Sequence, residues 1–132
     1  MKCPCCSGLS YKQCCEPFHH GKEAPTPLQL MRSRYSAYAL SLSTYIQKTT
    51  HPNSPYFDSD TVRWRKGIED FCRTTKFLKL EIRGTGEKWV SFAAHLLQSG
   101  NAYILEEISQ FEQVDSHWRY TQGDSKLGRQ DA

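Results

Sequence analysis

The sequence predicts an α+β fold, with helices first, then a curved antiparallel sheet, and a small cysteine-rich knob ahead of both. Three observations carry that reading. Cys3, Cys5, Cys6, Cys14 and Cys15 all fall within the first fifteen residues. From Leu28 to about Cys72, apolar residues recur at helical spacing. From Phe77 the period drops to two, and short turn-forming pairs separate the segments. A run of helices followed by hairpin-linked strands is an α+β layout.

With 132 residues the chain has room for one modest domain with a real core, plus the knob. Its 38% hydrophobic and 23% charged content is that of a globular rather than a disordered chain. The formal charge of +3 falls to about +1 once four thiolates hold one divalent ion, far below the concentrated positive charge of a nucleic-acid binder. No apolar core of a signal peptide follows Met1-Lys2, and no stretch is long enough to span a bilayer. The expected compartment is therefore cytoplasmic, with no membrane partner.

The knob comes first. Cys3-Pro4-Cys5 and Cys14-Cys15 are two tight thiol pairs separated by a short loop in which Ser7-Gly8 lets the chain turn back. A disulfide framework needs an oxidising compartment. Cys3 and Cys5 are also too close along the chain for an easy bridge, and adjacent Cys14 and Cys15 pair only with strain. A redox C-x-x-C can be read in Cys3-Pro4-Cys5-Cys6, yet no βαβ pattern follows it. Four soft ligands gathered in so short a span suit a tetrahedral zinc ion, held by Cys3, Cys5, Cys14 and Cys15. With all four positions filled by protein, such an ion is structural and supplies folding free energy. Cys6, His19 and His20 are spare donors, Tyr11 and Phe18 are placed to cover the site, and Lys2, Lys12 and Lys22 to offset its negative charge.

CPCCSGLSYKQCC resembles the SEC-C motif, the zinc-binding tail of the bacterial translocase SecA, which also occurs in many small bacterial proteins. Cys3, Pro4, Cys5, Ser7, Gly8, Tyr11, Lys12, Cys14 and Cys15 carry the resemblance, while Cys6 stands where the motif has glycine. It implies a structural zinc and a surface that docks on another protein.

Residues 16–26 form a connection broken by Pro17, Gly21 and Pro25. Thr26-Pro27-Leu28-Gln29 is a helix start, with a capping residue and proline at the first helical position. Leu28, Met31, Tyr35, Tyr38, Leu42, Tyr45 and Ile46 then predict one helix that ends at Thr49-Thr50-His51-Pro52, with Arg32, Arg34 and Lys48 pointing elsewhere. A second helix is expected from about Asp60, with Trp64, Ile68, Phe71 and Cys72 on one face. Strands follow over Phe77–Arg83, with Leu78, Leu80 and Ile82 inward, then over Lys88–Leu97, Ala102–Val114 and His117–Thr121. Their short connections make an antiparallel meander, curled over the Met31, Tyr35 and Tyr38 face of the first helix. Residues from Gly123 on are polar and read as a loose tail.

The run from Pro27 to Gly123 is similar to the central domain of the bacterial YchJ-like proteins. The matching residues are those from Leu30 to Tyr38, Thr49-Thr50-His51-Pro52, Glu107, Ser109, Phe111, Trp118, Tyr120 and Gly123. The resemblance implies a SEC-C motif joined to a cone of the nuclear transport factor 2-like, or cystatin-like, kind. The expected division is residues 1–22 for the zinc-binding motif, 27–122 for the α+β domain and 123–132 for a flexible tail. Gly128-Arg129-Gln130-Asp131-Ala132 resembles the lead into a second SEC-C motif, and no second zinc site is expected from this sequence.

Two functions from different classes follow. One is a zinc-stabilised adaptor that docks a protein partner through the knob, using Lys2, Lys12, Lys22 and the rim of Tyr11. The other is a small-molecule-binding protein or acid–base enzyme using the mouth of the cone. Its candidate polar groups are Arg32, Arg34, Tyr35, His51, Trp64, His95, Tyr103 and Glu107, with Glu107, Tyr35 and His51 the weak catalytic candidates. Strand alternation puts Tyr103, Leu105, Glu107, Ser109 and Phe111 on one face. The competing structural reading pairs Glu107 with Arg32 or Arg34, leaves His51 as a helix cap and His95 as a satisfied sheet residue, and favours a non-enzyme. A homodimer is compatible with an open sheet of this kind.

Overall fold

The computed structural model describes residues 1–129. Two arms of the knob, residues 1–3 and 9–11, pair through an antiparallel bridge between Lys2 and Ser10. A 3-10 turn over Tyr11–Gln13 and the one-turn helix α1, Glu16–His19, lead into the connection. Next come α2 (Pro27–Ala39), α3 (Ser43–Lys48) and α4 (Thr61–Thr74). The strands β1 (Thr75–Thr85), β2 (Trp89–Gln98), β3 (Asn101–Val114) and β4 (His117–Arg129) form one antiparallel meander in the order β1-β2-β3-β4. The α+β class, the helix layer and the strand order are those expected.

The helix starts follow their signals. Thr26 accepts from the Gln29 amide with Pro27 at the first helical position, and Asp60 accepts from the Arg63 amide. One expected helix is in fact two. The Leu42 amide donates to the Ala37 carbonyl at 2.8 Å and the Ser41 amide to Tyr38 at 3.2 Å, with Ser41 at φ 60°. That is a Schellman stop, and it turns the chain before α3. Serine rather than glycine sits at its left-handed position, so the sequence carries no stop signal there.

The sheet corrects two further expectations. A register shift between Phe77 and Lys79 puts Leu78 outside, 55% exposed, while Leu80 stays buried. Strand β4 does not end at Thr121. After an irregularity at Gln110/Phe111 it continues to Arg129, pairing Gly123 with Ser109 and Arg129 with Tyr103. The backbone of residues 123–129 is therefore strand, although its side chains are largely exposed. Gln130, Asp131 and Ala132, part of the expected tail and of the lead into a second motif, lie outside the described residues.

The core is continuous. Leu30, Ile46, Val90 and Phe111 are almost fully buried, and Cys3, Cys5 and Cys15 belong to the same apolar cluster. The knob is thus seated on α2 rather than hung from it. If the irregularity in β1 sets which leucine faces the core, Leu80→Ala should cost about 2–5 kcal/mol in urea unfolding, and Leu78→Ala about 0.5 kcal/mol or less. Equal losses would mean that the strand keeps simple alternation.

Candidate metal centre and cavity

The two cysteine pairs converge because the arms of the knob are tied backbone to backbone. The Cys3 amide donates to Leu9 and the Tyr11 amide to Met1, each at 2.9 Å, while Gly8 turns the loop between them at φ 89°. The sulfurs of Cys3, Cys5, Cys14 and Cys15 all lie within 4.8 Å of one another. Cys5 and Cys14 sulfurs are 3.6 Å apart, and those of Cys14 and Cys15 3.8 Å. Four sulfurs set tetrahedrally at about 2.3 Å from one ion stand about 3.8 Å apart, so the donor set fits a metal.

Each sulfur also has a polar neighbour. Ser36, fully buried in α2, lies between two of them, 3.4 Å from Cys3 and 3.3 Å from Cys15. Ser7 lies 3.2 Å from Cys14. Arg32 donates to the Cys5 carbonyl at 2.8 Å and reaches its sulfur at 3.9 Å. Hydrogen bonds from the neighbouring thiols, that of Cys15 first, hold the Cys5 thiol down to about 4 against the opposing effect of burial. The same contact pushes Cys15 up.

The spare donors stay out of the cluster. Cys6 is exposed at φ 63°, its sulfur 3.6 Å from the Pro4 carbonyl. That left-handed backbone accounts for glycine in the motif at this position. His19 is engaged at both nitrogens: Nε2 donates to the Ser33 carbonyl at 2.8 Å, so Nδ1 accepts from the Tyr11 hydroxyl at 2.6 Å. His20 is exposed.

Between the helices and the concave face of the sheet lies a cavity of about 540 Å³. Arg34, Tyr35, Trp64 and Glu107 are among its walls, as are Leu105, Ser109 and Phe111 of β3. The Tyr35 hydroxyl is buried without a well-formed hydrogen bond, and burial pushes its pKa up. Arg32 has left this group for the metal centre. His51 accepts from the Asn53 amide and lines a separate polar cleft, and it is not a helix cap. His95 faces Glu81 at 3.4 Å, and Tyr103 is not in the cavity wall.

A family model for the middle, NTF2-like domain of YchJ matches residues 26–123. The chain belongs to that family. A UPF0225 protein of Serratia proteamaculans is 38% identical, over 92% of this chain and 81% of its own length. One from Deinococcus radiodurans is 41% identical, over 89% of this chain and 85% of its own. The solution structure of a SEC-C motif containing protein from Rhodopseudomonas palustris superimposes with a TM-score of 0.81 at 34% identity, covering 94% of this chain and 98% of that one. The crystal structure of another, from Psychrobacter arcticus, gives 0.73 at 28% identity, covering 91% and 80%. A SEC-C motif and this fold thus occur together in other solved proteins.

Two readings of single residues need correction. Glu107 does not pair with Arg32 or Arg34. Its carboxylate accepts from the Ser109 hydroxyl, while Arg34 is held by Ile46, Thr49 and Thr50. The positive charge at the sulfurs comes from Arg32 on α2, whereas Lys22 lies over the Phe18 ring at 5.8 Å. The spacing of Arg32 four residues before Ser36, on the helix that follows the cysteines, was the one signal for this outer layer.

Partners of this outer kind typically change metal affinity by about 10–100-fold. Ser36→Ala should therefore weaken metal binding by about tenfold or more in a competition titration with a chromophoric chelator, whereas Cys6→Ser should leave stoichiometry and affinity unchanged. A loss of one equivalent of metal in Cys6→Ser would put that sulfur in the ligand set.

Proposed function

We propose that this protein is an adaptor whose cysteine centre holds a structural zinc ion and thereby builds a protein-docking surface. The observation that carries this reading is that four cysteine sulfurs close the site on themselves. A tetrahedral ion held by four protein ligands keeps no position for substrate or water. Zinc is favoured because a tetrahedral set of four thiolates suits it and it brings no redox chemistry of its own.

The surface that the ion would fix lies on the outer side of the knob. Lys2 and Lys12 are exposed there, with Met1 at 76% and Leu9 at 51% exposure beside them. Such a patch suits a short segment with an apolar anchor flanked by acidic side chains. Tyr11 serves it from beneath, since its hydroxyl is committed to His19. A second reading, a small molecule in the cone, is favoured by the size of the cavity and by the charged groups in its walls.

Affinity capture from a cell extract, with wild type beside the double variant Leu9→Ser/Lys12→Glu, tests the adaptor. The expected result is a partner retained by the zinc-loaded wild type and lost by the variant, with metal content equal in both. Identical retention by the two would contradict it.

A further inference from the structure

Among the described residues, three charged ones line the cavity: Arg63 is paired with Asp58, whereas Arg34 and Glu107 are not closed on each other. Arg34 enters from α2 with only 8% of its surface exposed. Its Nη1 donates to the Ile46 carbonyl at 3.2 Å, to the Thr49 hydroxyl at 2.8 Å and to the Thr50 hydroxyl at 3.2 Å. Its guanidinium carbon stands 4.5 Å from the centre of the Tyr120 ring. All three acceptors are neutral, so the cation is held in place without being neutralised. Glu107 enters from β3, half-buried. Its one hydrogen bond is from Ser109, and none of the ion pairs among the described residues involves it. The carboxylate lies against Gly123 of β4, where any Cβ would collide with it.

The two charges share one space. Burial raises the hydroxyl pKa of both Tyr38 and Tyr120, and on each of them Arg34 acts in one direction and Glu107 in the other. Nearby, the buried Tyr35 hydroxyl has no well-formed hydrogen bond. The remaining walls are mostly aromatic and aliphatic.

This arrangement selects among ligands. A purely apolar molecule would strip water from both charges and return nothing to either. A simple anion would satisfy Arg34 but meet Glu107, and a simple cation the reverse. A molecule that carries both an acceptor and a donor completes both, and its apolar body fills space that 540 Å³ provides. We propose that the cavity binds a small molecule with an aromatic or other apolar body and both a donor and an acceptor, its acceptor group on Arg34 and its donor group on Glu107. The proposal rests on the second reading above, and it names the chemistry of that ligand.

Probes with one shared body test it: L-phenylalanine, 3-phenylpropanamide, 3-phenylpropanoate and phenethylamine, each titrated into the metal-loaded full chain while amide chemical shifts are followed. The two probes that carry both a donor and an acceptor should bind at least about tenfold more tightly than the two singly charged ones, since one charge-assisted hydrogen bond is worth that much. Shifts should centre on Tyr38, Glu107 and Tyr120. In Glu107→Gln the preference should invert toward 3-phenylpropanoate, a gain of binding that a misfolded variant would not show. Equal binding of all four probes, or no inversion in Glu107→Gln, would overturn the proposal while leaving the cavity a ligand site. Absence of any shift around the cavity would overturn both.

Discussion

The Ser36 hydroxyl, set between the sulfurs of Cys3 and Cys15, is the contact on which the arrangement depends. It belongs to α2, and α2 is buried on two opposite faces. Arg32, Ser33 and Ser36 turn toward the knob, while Met31, Arg34, Tyr35 and Tyr38 turn toward the cavity. At 100° per residue these two sets lie on opposite sides of the helix. An outer face packed on a cysteine cluster must offer polar groups to the sulfurs, so buried serine replaces the usual solvent-facing charge. Each of these buried serines has a partner, Ser33 with the Leu30 carbonyl and the Tyr45 hydroxyl. That satisfaction keeps their burial from being costly.

The gathering of Cys3, Cys5, Cys14 and Cys15 was legible in the sequence, because a cluster of this size is local and its spacing is nearly its geometry. Helix starts at Thr26 and Asp60 and the order of the strands were legible for the same reason, since caps and tight turns are made by neighbours. What could not be read depends on residues far apart in the chain. Arg32 and Arg34 read as lying off the apolar stripe and as partners for Glu107, because helical periodicity assumes one buried side. Here Arg32 is drawn to the Cys5 carbonyl twenty-seven positions back. Arg34 finds its acceptors only where α3 ends.

Other misses have local causes that residue type conceals. Ser41 takes a left-handed conformation that glycine would have announced. The irregularity after Phe77 reverses the alternation that would have buried Leu78. The polar stretch after Gly123 reads as tail, yet its backbone completes a ladder with β3, which needs no apolar side chains. Such an edge is held by main-chain hydrogen bonds, and composition is silent on them.

With the cysteine cluster and the cavity sharing one helix, an ion held there would do more than fold a short peptide. It would fix the outer face of α2 and so the position of the cavity wall. Thermal unfolding followed separately at Tyr11 of the knob and Trp118 of β4, with and without a zinc chelator, tests this most directly. The account predicts that removing the ion lowers both transitions together, because knob, helix and sheet are one cooperative unit. A sheet that melts at an unchanged temperature while the knob alone unfolds would contradict it.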